Sequence, residues 1–135
     1  MITVHGQLAA LNAAVESGAL ESLCRERSVD LLVLFGSALE AIAPGDIDLG
    51  VAFTHGSDGD LLTFLDALAQ VVPGDHFDVM DLDRAGPVAR HRALTRCRVL
   101  FASTPAAFYE RQIFAINHYI ETRPLREALV RKLSS

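Results

Sequence analysis

The chain has 135 residues, half of them apolar, with 17 acidic residues against 12 Lys and Arg and a formal net charge of −5. One domain with a single real core is the expectation over residues 1–135. The acidic balance argues against sequence-independent duplex binding, which needs a basic surface, and leaves room only for local basic patches.

Cys24 and Cys97 lie far apart with no paired spacing. Neither a disulfide framework nor a zinc site is expected, and the compartment they suggest is reducing, hence cytoplasmic. Residues 1–20 contain Glu16 and no basic leader, so no signal peptide is expected. No apolar run approaches the roughly 18 to 20 residues needed to cross a bilayer, so no membrane span is expected.

Leu8, Leu11, Val15, Ala19 and Leu23 recur at helical spacing and predict one helix over 7–27. VDLLVLF, residues 29–35, is continuously apolar and followed by Gly36-Ser37, which suits a buried strand. Ala43-Pro44-Gly45 marks a turn, and DIDLGVAF, residues 46–53, reads as a second strand. A ten-residue loop joins these strands, which should be neighbours. Residues 60–71 read as a helix, HFDVMDL at 76–82 as a third strand, and Pro87 opens a helix to about Arg96. Residues 98–102 form a fourth strand. Thr104-Pro105 should cap a last long helix, which Pro124 should end or kink. The fold class is thus α/β (α+β): a mixed sheet of about four strands, with helices packed mainly on one face.

Asp46 and Asp48 sit two residues apart, so strand alternation points both side chains to one face. Buried like charges repel and raise each other's pKa, so the pair needs compensation. Hard divalent cations supply it, since they take oxygen ligands. Two such ions about 3.5–4 Å apart can clamp an in-line phosphoryl or nucleotidyl displacement. Asp78 would add a third carboxylate if the third strand lies beside the second. Asp81 and Asp83 compete with it, but Asp81 projects from the opposite strand face and Asp83 lies past the strand end. Gly36 lets the backbone approach a phosphate closely, and Ser37 offers a hydroxyl and an N–H to phosphate oxygens.

A lone Asp-x-Asp also occurs in ordinary turns, and Gly-Ser after a strand is common turn chemistry. The ordered set is more specific. GSALEAIAPGDIDLGV followed by HFDVMDL resembles the minimal nucleotidyltransferases of the polymerase-beta-like superfamily, and the likeness extends through RHRALTRCRVLFASTPAAFYERQ, residues 90–112. That last stretch is similar to the antitoxin members that pair with HEPN ribonuclease toxins. The resemblance implies a polymerase-beta-like nucleotidyltransferase fold, ATP as substrate and two Mg2+ ions as cofactors. It further implies Gly36 and Ser37 as nucleotide-binding residues and Asp46, Asp48 and Asp78 as catalytic metal ligands. The implied reaction transfers AMP to a hydroxyl, a tyrosine, of a cognate HEPN toxin and silences it. The chain departs from many members in its loop, where Leu39-Glu40-Ala41 and Gly45 replace an Arg-Gly and a Ser. That departure favours an alternative, in which the chain neutralises its toxin by binding alone. A third reading, transfer to a small molecule, lacks the additional substrate domain such enzymes usually carry.

Five arginines, Arg84, Arg90, Arg92, Arg96 and Arg98, crowd one segment. A solvated helix face is the bland expectation; contact with ATP phosphates or an acidic partner is the functional one. Phe108, Tyr109, Ile113, Phe114, Tyr119 and Ile120 give the last helix an apolar stripe, expected to pack on the sheet.

Overall fold

The computed structural model describes residues 1–39 and 45–134. Glu40 and Ala41 of the altered loop, with Ala43 and Pro44 of the turn expected at 43–45, lie outside the described residues. The elements run α1 (Val4–Ser17), α2 (Ala19–Glu26), β1 (Val29–Phe35), a 3-10 turn (Gly36–Leu39), β2 (Ile47–Phe53), α3 (Leu61–Val71), β3 (Phe77–Asp81), α4 (Pro87–Thr95), β4 (Cys97–Ala102) and α5 (Ala107–Ser134).

The four strands lie in the order β3-β2-β1-β4. β1 is antiparallel to both β2 and β4, whereas β2 and β3 are parallel. The sheet is therefore mixed, and β1 and β2 are neighbours as their short connection requires. The parallel pair needs a crossover, and α3 supplies it, capped by the Asp60 carboxylate on the Thr63 N–H.

Strand alternation divides the core in two. Leu32, Leu34, Ile47, Leu49 and Val51 face Leu11, Leu20, Leu23, Phe64 and Leu68 from α1–α3. Leu31, Val33, Phe35 and Ala52 face Leu82, Ala93, Leu94 and Ala115 from the 82–85 turn, α4 and α5. Three helices thus cover one face, as expected, while α4 and α5 lie across part of the other. Cys24 is buried in the first cluster, where burial pushes its thiol up to about 12. Cys97 packs beside the second cluster and is pushed to about 11 for the same reason. Both act as small core residues.

Three boundaries depart from the sequence reading. The single helix expected over 7–27 is two, because Gly18 adopts a left-handed φ of 84° and its N–H closes on Val15 O. That is a glycine C-cap. Thr104-Pro105 belongs to a turn ahead of α5, which begins at Ala107. Pro124 does not end α5, which continues to Ser134. A proline within a helix forfeits one backbone hydrogen bond, and here the surrounding turns are exposed.

The stripe on α5 also faces differently. Tyr109, Ile113, Phe114 and Ile120 are exposed, while Ala107 and Ala115 are the side chains buried against the body. Leu125, Leu129 and Leu133 continue the inner face of the helix at four-residue spacing but lie beyond the core and are exposed.

Candidate nucleotide and metal site

Register brings the sequence-selected carboxylates together. Asp48 on β2 pairs with Phe35 at the end of β1 on one side and with Asp78 on β3 on the other. Adjacent strands lie about 4.8 Å apart, and paired residues project from the same face, so Asp48 and Asp78 are cross-strand neighbours. Asp46 lies one residue ahead of β2, outside the strand that was expected to contain it. Asp46 and Asp78 are exposed and Asp48 is half-buried. The cover of α4 and α5 ends here: Gly50 and Ala52, further along the same face, are buried.

Burial raises the Asp48 pKa first, and the charges of Asp78 and then Asp46 raise it further, against a lowering by Arg92. Asp48 therefore feels the charges of both other carboxylates. Among the described residues none of them forms an ion pair. Nor do three His, Cys, Asp or Glu side chains stand close enough to form a ready-made metal cage. The arrangement is an open rim of like charges whose oxygen donors suit a hard cation.

Gly36 is fitted to this rim. Its φ is 74°, and a Cβ there would stand 2.1 Å from Asp48 Oδ2. Any other residue would strain the backbone and displace the carboxylate. Ser37 follows on the 3-10 turn, exposed, its hydroxyl without a hydrogen bond among the described residues. The turn packs against both β1 and β2. Gly36, Ser37, Asp46, Asp48 and Asp78 thus gather at one end of the sheet. Asp81 does not join them: its Oδ1 accepts from the Asp83 N–H in the following turn.

The opposite end of β2 carries a second acidic group that the sequence reading missed. Arg111 donates through Nε to Asp30 Oδ2 at 2.9 Å, through Nη1 to Asp83 Oδ1 at 2.7 Å and through Nη2 to Phe53 O at 3.0 Å. Ser103 Oγ donates to Asp30 Oδ1. Burial favours a raised Asp30 pKa, but the Ser103 and Arg111 hydrogen bonds, with the Arg111 and His55 charges, hold it below its ordinary value. Only Asp30, a charge inside an apolar strand, gave a local signal. Its partners lie 81 and 73 residues away. A cavity of about 810 Å3 opens beside this network, lined by Phe53, His55, Asp83, Arg90 and Arg111 among others. Phe53 lies five positions along β2 from Asp48, about 17 Å, so the cavity and the carboxylate rim are different places. Arg90 and Arg111 on the cavity wall are already committed to structure; the rim holds the uncompensated chemistry.

The arginine-rich segment is not one solvated face. Arg90 reaches Leu82 O, Asp83 O and Ala85 O and pins the turn after β3. Arg98 donates to Asn12 Oδ1. Arg84 is largely exposed beside Asp81.

Among the described residues no helix is long and apolar enough to cross a membrane. No curated protein matches the chain. Solved structures do. A toxin–antitoxin with AMP-PNP is 21% identical over 86% of this chain and 96% of that one, with a TM-score of 0.69. The tri-AMPylated Shewanella oneidensis HEPN toxin in complex with MNT antitoxin is 21% identical over 96% of this chain and 99% of that one, with a TM-score of 0.67. The toxin–antitoxin MntA-HepT is 21% identical over 87% and 96%, with a TM-score of 0.65. These likenesses establish the shared fold. Residues 19–106, from α2 to the turn before α5, match the family described as polymerase beta, nucleotidyltransferase, and on that match the chain belongs to the polymerase beta nucleotidyltransferase family.

Proposed function

We propose that this chain is an antitoxin nucleotidyltransferase that moves AMP from ATP to a tyrosine hydroxyl of a cognate HEPN toxin. The observation that carries the reading is the register of Asp48 with Asp78, unpaired by any described cation and seated against Gly36. A purely structural site has no reason to keep three mutually repelling carboxylates. Two similar structures add support through what they contain: one holds AMP-PNP, and another an AMPylated toxin beside its antitoxin.

In this reading Ser37 offers its hydroxyl and N–H to the phosphate chain, and Gly36 lets that chain approach the backbone. Asp46, Asp48 and Asp78 would hold Mg2+, which when bound neutralises their repulsion and polarises the phosphates. The acceptor oxygen forms a bond to the α-phosphorus, the bond from that phosphorus to the bridging oxygen breaks, and pyrophosphate leaves. Asp78, exposed on the neighbouring strand, receives the hydroxyl proton. The exposed side of Asp78 leaves room for a protein acceptor.

The test is mass spectrometry of the toxin after incubation with this chain, millimolar ATP and magnesium. At least one added AMP is expected. No mass shift, together with full neutralisation by an Asp46→Ala/Asp48→Ala variant, would replace this reading with neutralisation by binding alone.

A further inference from the structure

Arg92 is the second arginine of α4, after Arg90. Its neighbours Ala93 and Leu94 are buried and anchor the helix on the sheet. The Arg92 guanidinium carbon lies 6.0 Å from the centroid of the Phe35 ring. Phe35 is the residue that pairs with Asp48 and directly precedes Gly36-Ser37. Arg92 thus overlooks both halves of the site. Its charge also acts on Asp48.

Its commitments differ from those of the arginines around it. Arg90 spends its donors on three backbone carbonyls and His118. Arg98 is bonded to Asn12, and Arg111 to two carboxylates and a carbonyl. Arg92 is exposed and, among the described residues, makes neither a hydrogen bond nor an ion pair. A guanidinium resting on an aromatic face keeps its in-plane N–H groups free, and those groups match phosphate oxygens two at a time. An acidic rim also repels a polyphosphate, and a nearby fixed cation offsets that repulsion.

We infer that Arg92 is a substrate-binding residue of this site, clamping the terminal phosphates of a nucleoside triphosphate, the part that leaves as pyrophosphate. The inference rests on the nucleotidyltransferase reading above and goes further, since it assigns the phosphate chain a direction: terminal phosphates toward α4, α-phosphate toward Asp48 and Asp78.

Calorimetric titration tests it, with AMP-PNP and magnesium added to the parent, Arg92→Ala and Arg92→Lys, and AMP as the short ligand. Loss of a charge-assisted bidentate contact should weaken AMP-PNP binding by about tenfold or more in Arg92→Ala. AMP binding should hardly change, and Arg92→Lys should recover part of the loss, because it restores the charge without the fork. Equal AMP-PNP affinity in parent and Arg92→Ala overturns the inference while leaving the nucleotidyltransferase reading intact. So does an equal loss for AMP and AMP-PNP. A parent that binds no AMP-PNP at millimolar concentration overturns both. Should Arg92→Ala fail to fold, Arg92→Lys carries the test, and unchanged AMP-PNP binding in it overturns the claim for a bidentate clamp.

Discussion

The two ends of β2 present the same residue type in opposite electrostatic states. At the Phe53 end, Asp30 and Asp83 share Arg111, and Asp30 is held below the ordinary carboxylate value. At the Ile47 end, Asp48 stands with Asp46 and Asp78, unpaired among the described residues, and is pushed above that value. One sheet therefore carries a carboxylate, Asp30, that ionises more readily because Ser103 and Arg111 hold its charged form, and another, Asp48, that ionises less readily because burial and its acidic neighbours outweigh the Arg92 charge. Paired acids hold structure together. Unpaired acids on an open rim are a cost to folding, and perturbed groups of this kind cluster at functional sites.

Removing the shared cation should break this contrast most severely. Arg111→Ala leaves two carboxylates and the Phe53 carbonyl without their donor. Chemical denaturation should show a loss of about 2–3 kcal/mol, less than for a fully buried pair because water reaches both carboxylates. A loss too small to detect would mean that the network is ornamental.

A smaller effect follows from pH. The folded pKa of Asp30 lies below its ordinary value of 3.8. The unfolded chain therefore takes up the proton first as pH falls. The stability this group supplies is fully present above the ordinary value and is lost as pH drops through the lowered folded value. Asp30→Asn should flatten the acid limb of stability against pH, and an unchanged limb would contradict the assignment.

The smallest effect should have the opposite sign. Asp48→Asn removes the charge that burial, Asp78 and Asp46 all disfavour, so the variant should melt slightly higher than the parent in metal-free buffer. Magnesium should raise the parent's melting temperature and help the variant less. A variant that melts lower than the parent would show that Asp48 is compensated after all.

Much of this was legible before the fold was known, for reasons particular residues make plain. VDLLVLF and DIDLGVAF are predominantly apolar segments bounded by turn residues, and they form seven-residue strands over Val29–Phe35 and Ile47–Phe53. The placement of Asp78 beside Asp48 was legible because one strand pairing decides it, whereas Asp46 lies one residue outside the strand expected to hold it. Gly18 was not, since its left-handed cap interrupts an apolar repeat that continues on either side. Pro124 does not end α5, because a proline at an exposed position costs the helix one hydrogen bond and the chain continues through it. Arg111 was out of reach of any local pattern, because it joins α5 to β1 and to the turn after β3.

The measurement that most directly tests the account is nucleotide transfer to the toxin by the parent, Asp78→Asn and Asp81→Asn in one assay. Asp78 is in register with Asp48, whereas Asp81 projects from the other strand face and turns to the Asp83 N–H. The account predicts a loss of at least about a hundredfold in Asp78→Asn, on the scale of removing one element of transition-state charge stabilisation, with folding intact. Asp81→Asn should retain most of the activity. Equal loss in both variants, or loss only in Asp81→Asn, would contradict it.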